Sequence, residues 1–368
     1  MSTEALTAAD LRDLTAMVHE VLADASPAES VDDASTAARV WAALDAVGVT
    51  VLGLDEERGG SGADPVAATD VLRVIGEHTA PGPLAETSLL GGWLLELAGL
   101  DQPDGPVSTG PSDVQAEREG DARHVTGTVD RVPVLPDDGV ATTVVALAQT
   151  PDGLGVVQLP ELGVRTQVEG VSVIPGHNLA GERRDQITID LRLTHLSPVP
   201  DTARTELELR GALSRAALAA GALRRTRDLS LRYAGERVQF GRPIGAFRAV
   251  QQQLATLVAE TAAASAVVEA AVRRVATEGF GTPASELAVA LAAVRTAEAS
   301  TTAATIAHRV HGAMGVTQEH PLRHATTRLW SRRSEWGSQS RWAELIADRA
   351  VTATGAGLWP LLTGVDTP

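Results

Sequence analysis

Residues 232–255, RYAGERVQFGRPIGAFRAVQQQLA, hold the only tyrosine of the chain, Tyr233, and two of its three phenylalanines, Phe240 and Phe247. Gly241 and Pro243 break the helical pattern that runs on either side. A turn so placed has either a packing reason or a ligand. Arg237, Gln239 and Phe240 are the groups it presents. A guanidinium fork suits phosphate oxygens, and a glutamine amide can donate to oxygens. The plainer alternative pairs Arg237 with a helix carboxylate and buries Phe240 in the core.

Other constellations carry less. His308, His311, His320 and His324, with Glu319 close by, suggest a metal cluster, and His320 and His324 have i, i+4 spacing. Spacing alone is weak evidence, and we expect no metal. Gly59, Gly60 and Gly62 resemble a phosphate loop only superficially: no Lys-Ser/Thr follows and no strand precedes. The sequence contains no lysine, so Schiff-base, pyridoxal-phosphate and P-loop lysines are excluded. It contains no cysteine, which removes disulfides, thiol nucleophiles and iron–sulfur clusters. A net charge of −16 argues against nucleic acid. The polar, acidic N-terminus and the lack of a long uninterrupted apolar run lead us to expect a soluble cytoplasmic protein that neither enters nor binds a membrane.

Three kinds of pattern position these groups. Apolar residues at helical spacing mark helices over 9–24, 34–47, 65–77 and 84–99, and DQPDGP at 101–106 reads as a linker. From about 120 to 195 the period drops to two. Ile187, Ile189, Leu191 and Leu193 alternate with polar residues, 142–149 and 154–159 flank a Pro-Asp-Gly turn, and 123–129 and 163–174 add strands. Strands without intervening helices imply an antiparallel domain rather than a Rossmann unit, and no GxGxxG is present. Beyond residue 203, helical patterns run over 205–236, 246–277, 284–311 and 338–353, as in a four-helix bundle. The expected architecture is α+β: an N-terminal all-α domain (1–105), a middle antiparallel β domain (106–202) and a C-terminal four-helix bundle (203–368).

That order resembles the acyl-CoA dehydrogenase family, and motifs carry the resemblance. YAGERVQFGRPIGAFRAVQQQLA is similar to the family's Tyr-x-x-x-Arg-x-Gln-Phe-Gly-x-Pro-Ile-x-x-Phe stretch. VHGAMGVTQEHPLRHATTRLW resembles its His-Gly-Gly-x-Gly-x-x-x-Glu-x-Pro segment, and GVTVLGLDEERGGSGAD an N-terminal signature. The resemblance implies α,β-dehydrogenation of an acyl-CoA thioester with FAD, and an electron-transfer flavoprotein or similar acceptor. It implies adenosine-side FAD contacts from Arg237, Gln239 and Phe240, aimed at a neighbouring subunit. It also implies contacts from Arg309 and Gly312, and from Ser338 and Gln339. Arg309 stands where the family usually has Gln, and Ala313 where it has a second Gly.

The catalytic carboxylate does not carry over. One family slot falls at Gly211, the other at Trp336, and Glu335 lies one residue early. A one-residue shift near a helix turns a side chain by about 100°. Glu335 is therefore a weak candidate for the base, expected to be solvated or paired with Arg332 or Arg333; Glu208 is weaker still. The family's Thr-Glu-Pro-x-x-Gly-Ser-Asp and Trp-x-Thr segments are missing from 106–135. Members built from two unlike subunits divide the site in this way. The resemblance thus implies the non-catalytic subunit of an α2β2 heterotetramer, partnered by a homologous subunit. Such members tend towards bulky acyl chains such as sterol side-chain thioesters, within fatty acid or sterol degradation. The alternatives are a homo-oligomeric enzyme using Glu335 or Asp228, and a flavin-free scaffold of the same fold.

Overall fold

The computed structural model describes residues 6–26, 34–135, 141–160, 168–353 and 360. Within it the chain forms two compact units, residues 1–210 and 211–368. The helices expected first are α1 (Ala8–Ala25), α2 (Ala34–Asp45), α3 (Pro65–His78) and α4 (Gly91–Leu97). Side chains satisfy their orphan amides where the sequence allows. Thr7 and Asp10 make a reciprocal capping box on α1, and Asp64 accepts from Ala67 N–H with Pro65 opening α3. The pattern expected over 84–99 is not one α-helix throughout: Glu86–Leu90 is a π-helical turn leading into α4. Gly59, Gly60 and Gly62 lie in a connecting loop, where a Cβ on Gly60 would lie 2.1 Å from the Leu54 carbonyl oxygen.

The strands are β1 (Val107–Ser108), β2 (Ser112–Glu119), β3 (Ala122–Val132), β4 (Thr143–Thr150), β5 (Gly153–Gln158), β6 (Val171–Ile174), β7 (Asp185–Leu193) and β8 (Ser197–Val199). They form one sheet in the order β6-β7-β3-β2-β4-β5-β8, with β1 beside β4. Pairing is antiparallel except at β1–β4 and β2–β4, which are parallel. The expected hairpin joins β4 to β5 through Thr150 and Gly153. Ile187 and Ile189 bury against Val125, Val129 and Val114, while Leu191 and Leu193 are only partly covered. Strand β2 was not expected; its alternation has only two apolar positions, Val114 and Ala116, before the polar run Glu117–Glu119. The part of the 163–174 strand that covers 163–167 lies outside the described residues.

The C-terminal helices are α5 (Ala203–Glu236), whose first turns belong to the first unit, α6 (Arg248–Glu278), α7 (Pro283–His311), α8 (Pro321–Arg332) and α9 (Gln339–Ala353). Their core is built from small residues. Ala219, Ala222 and Leu223 of α5 meet Leu257 and Ala264 of α6, Ala299 and Ala303 of α7, and Leu329 of α8. Alanine both favours helix and lets helices approach closely. Helix α6 is long and apolar enough, by composition, to cross a membrane. It packs Leu254, Leu257, Ala264 and Val268 inward, however, and Glu260 on it pairs with Arg295 of α7. It is a helix of the bundle. Helix α8 was not expected as a separate element. Pro321 opens it, and the His320 ring accepts the Leu322 N–H.

Candidate functional site

The turn after α5 is a two-stranded hairpin, β9 (Val238–Gln239) and β10 (Arg242–Pro243). Its two central residues, Phe240 and Gly241, both have positive φ, +51° and +81°. A tight two-residue hairpin of the primed type requires this at both positions, which Asn-Gly usually supplies. Here the first is phenylalanine, in a region that costs an L-residue about 1–2 kcal/mol. Phe240 is also 92% exposed. A strained backbone and an aromatic ring held in solvent together mark a surface kept for something other than packing. Arg237 is exposed and pairs with no carboxylate among the described residues, and Gln239 is exposed beside it. Neither half of the plainer alternative holds: Arg237 is not tied to a bundle carboxylate, and Phe240 is not core. The hairpin is braced from behind, where Arg242 lies over the Phe247 ring at 4.3 Å and Phe240 meets Phe247 edge-on.

The root of the hairpin meets the second expected contact segment. Tyr233, in the last turn of α5, accepts the Arg237 N–H through its carbonyl at 2.8 Å. Its ring stacks on His311, the last residue of α7, with centroids 4.4 Å apart. His320 closes the group edge-on to both rings. Arg309 and Gly312 therefore lie on the same joint as Arg237, Gln239 and Phe240. Gly312 has φ +61°, and a Cβ there would meet nothing within 4 Å, so the glycine serves the backbone turn and leaves open space beside it. The histidines serve structure too: His308 stacks on Trp330, His320 caps α8, and His324 is buried. No group of three or more metal-ligating side chains forms among the described residues.

The two positions at which the resemblance puts the base, Gly211 and Trp336, face each other. A Cβ on Gly211 would lie 2.2 Å from Cδ2 of Trp336, inside the indole. Glycine within a helix costs about 1 kcal/mol relative to alanine, and here its absent methyl makes room for the ring. Trp336 is buried, and its carbonyl accepts the Trp342 indole N–H at 3.1 Å. Gly337, at φ +95°, lets Trp342 approach to 2.7 Å from where a Cβ would stand. Neither slot holds a carboxylate.

Glu335 is buried rather than solvated, and it is paired with an arginine: Arg215 Nε donates to Glu335 Oε2 at 2.6 Å. Arg332 donates to the Leu218 carbonyl and Arg333 to Thr301 Oγ1. Arg215 borders a small open cleft lined also by Ala212, Ala216, Arg332, Trp336 and Trp342. Ser338 is the exposed cap of α9, its hydroxyl accepting from Arg341 N–H, and Gln339 starts that helix. Among the described residues no hydrogen bond or ring contact joins Ser338 or Gln339 to the hairpin. Asp228 pairs with Arg227 at 2.7 Å.

The sequence patterns missed Glu96, a lone acid in the apolar run of α4. In the first unit it accepts the Asp55 N–H at 2.5 Å, and burial raises its pKa. Arg210, whose charge acts on it, lies over Trp93 at 4.3 Å.

Comparison with known proteins fits this arrangement. Residues 209–351 match the acyl-CoA dehydrogenase C-terminal domain. Acyl-CoA dehydrogenase IpdE2 of Mycolicibacterium smegmatis is 31% identical over 77% of this chain and 78% of its own length. Among solved structures, the ChsE4-ChsE5 complex from Mycobacterium tuberculosis superposes with a TM-score of 0.81 at 24% identity, covering 96% of this chain and 100% of that one. The Tcur3481-Tcur3483 steroid ACAD gives 0.76 at 22% identity over 93% and 99%. At those identities the superpositions speak for the fold. The helical N-terminal region, central sheet and helical C-terminal region agree with it, and the likeness to IpdE2 decides the family: this chain belongs to the acyl-CoA dehydrogenases, FAD-dependent oxidoreductases.

Proposed function

We propose that this chain is the half-site subunit of a heteromeric acyl-CoA dehydrogenase. It presents Arg237, Gln239 and Phe240, with Arg309 and Gly312, to the adenosine side of an FAD shared with a homologous subunit. That partner contributes the carboxylate that takes the α-proton of the acyl thioester. Bound FAD supplies the acceptor for the hydride leaving the β-carbon. The observation that carries this reading is the contact of Trp336 with Gly211, which fills both base slots with an indole.

The residues present fit the cofactor on one side. An unpaired guanidinium suits a pyrophosphate, an exposed ring suits an adenine face, and Gly312 leaves its backbone open to approach. Ser338 and Gln339, at the start of α9, are a second, separate contact region in this proposal. Glu335 serving as base would require release of Arg215, and no observation favours that. The names of the ChsE4-ChsE5 complex and the steroid ACAD support a two-subunit assembly and a bulky sterol-type acyl chain.

Arg237→Ala in the assembled complex is expected to lower flavin content at least several-fold while leaving this subunit folded. Flavin absorbance per complex, with circular dichroism of the subunit, measures both. Unchanged flavin occupancy would refute the role given to the hairpin.

A further inference from the structure

The hairpin and the 309–316 segment meet at three rings whose protonation is constrained by their neighbours. His311 Nδ1 lies 2.9 Å from the Ala307 carbonyl, which can only accept, so Nδ1 carries the hydrogen. Nε2 then holds a lone pair, and it is buried without a hydrogen-bond partner. His308 repeats the arrangement. Its Nε2 is hydrogen-bonded to Thr326 Oγ1 at 3.0 Å, and its Nδ1 is again buried without a hydrogen-bond partner among the described residues. His320 Nδ1 accepts the Leu322 N–H. Three neutral imidazoles therefore crowd one joint.

We infer that the Tyr233–His311–His320 stack is a titratable positioning joint, which holds the Arg237–Gln239–Phe240 hairpin and the Arg309–Gly312 segment together while neutral and loosens when His311 is protonated. The inference rests on the proposed role of these two segments.

The groups facing His311 set the direction. Helix α5 presents the Tyr233 ring and the Leu229 carbonyl, α7 presents His308 and the Ala307 carbonyl, and the turn before α8 presents His320. Toward His308, α8 presents Thr326 and Trp330. Among the described residues no carboxylate contributes to the shift of any of the three imidazoles. Burial holds His311 below the usual histidine range, aided by the charges His320 and His308 would carry; the Ala307 and Leu229 carbonyls oppose this without overcoming it. Burial also lowers His308 and His320. A charged imidazole on the Tyr233 face gains some cation–π attraction, which offsets part of that cost.

The sign follows from linkage. Folded pKa values lie below the unfolded value of 6.5, so the unfolded or opened state binds protons more readily. Above about pH 7 the joint is indifferent to pH. Below the unfolded pKa, stability falls with each proton taken up, until the folded groups titrate as well.

The experiment is hydrogen exchange by mass spectrometry on the flavin-free chain at pH 7.5 and 5.5, corrected for intrinsic rates. It is run beside flavin retention by the complex across the same range. In the wild type, 237–247 and 309–316 are expected to lose protection together, several-fold, at pH 5.5, with flavin release following. His311→Phe keeps a ring on Tyr233 but cannot titrate; it should retain protection at pH 5.5 and move flavin release to lower pH. His311→Gln, neutral and polar, is the second variant should Phe fail to fold, and should also flatten the exchange profile. A wild-type profile in either folded variant, or a response in one segment only, overturns the joint. If exchange behaves as expected but Arg237→Ala leaves flavin bound, the joint stands and the cofactor role of the hairpin falls.

Discussion

Gly211→Ala should destabilise the chain by about 1–3 kcal/mol, the usual cost of overpacking, even though alanine gains about 1 kcal/mol over glycine within a helix. The added methyl would stand 2.2 Å from the Trp336 ring, so the ring or the helix must move. The sign should reverse once the ring is gone. Trp336→Ala alone is expected to cost about 3–5 kcal/mol, as large-to-small changes in a core do. In that background Gly211→Ala should stabilise by about 1 kcal/mol. Urea denaturation of the four proteins in this double-mutant cycle measures the coupling. Additive effects would show that the two slots do not exclude each other.

The second large effect concerns the buried ion pair. Arg215→Ala or Glu335→Gln should each cost about 3–5 kcal/mol, because each breaks a buried, hydrogen-bonded ion pair. Replacing both together, as Arg215→Met with Glu335→Leu, should cost far less, since burying an ion pair gains little over well-packed apolar groups. Turnover separates this structural role from catalysis. In the assembled complex Glu335→Gln should leave turnover per folded complex unchanged. A loss of several orders of magnitude with the fold intact would make Glu335 the base.

Much of this architecture was legible in the sequence, for identifiable reasons. The long helices announce themselves because small apolar residues recur at helical spacing for about thirty positions, and β7 because Ile187 and Ile189 alternate cleanly. Helix α8 was obscured because its apolar positions, Leu322, Ala325 and Leu329, are interleaved with His324, Thr326 and Arg328, polar residues buried just as deeply. The hairpin's residue types were legible, yet its strain was not: positive φ at a phenylalanine is a fact of the backbone, and Phe-Gly is not a usual pair for that turn. The resemblance pointed to Gly211 and Trp336 as the base positions without revealing that the two residues touch, since they are 125 positions apart. That Glu335 pairs with an arginine was legible, but Arg215 was not foreseen: proximity in sequence pointed to Arg332 and Arg333, while packing brought Arg215 from α5.

The joint at Tyr233, His311 and His320 gives the two contact segments a common mechanical root. That arrangement suits a surface offered to another subunit, because both segments must keep register without a ligand of their own to order them. It also ties the strained turn to the end of α7 through the stack of Tyr233 on His311.

The most direct test is the flavin content and acyl-CoA dehydrogenation of this chain purified alone, compared with the chain purified with a homologous subunit that carries the glutamate. The expected result is little flavin and no turnover for the single chain, with both appearing in the assembled pair. Stoichiometric flavin and acyl-CoA oxidation by the single chain would contradict the division of the site.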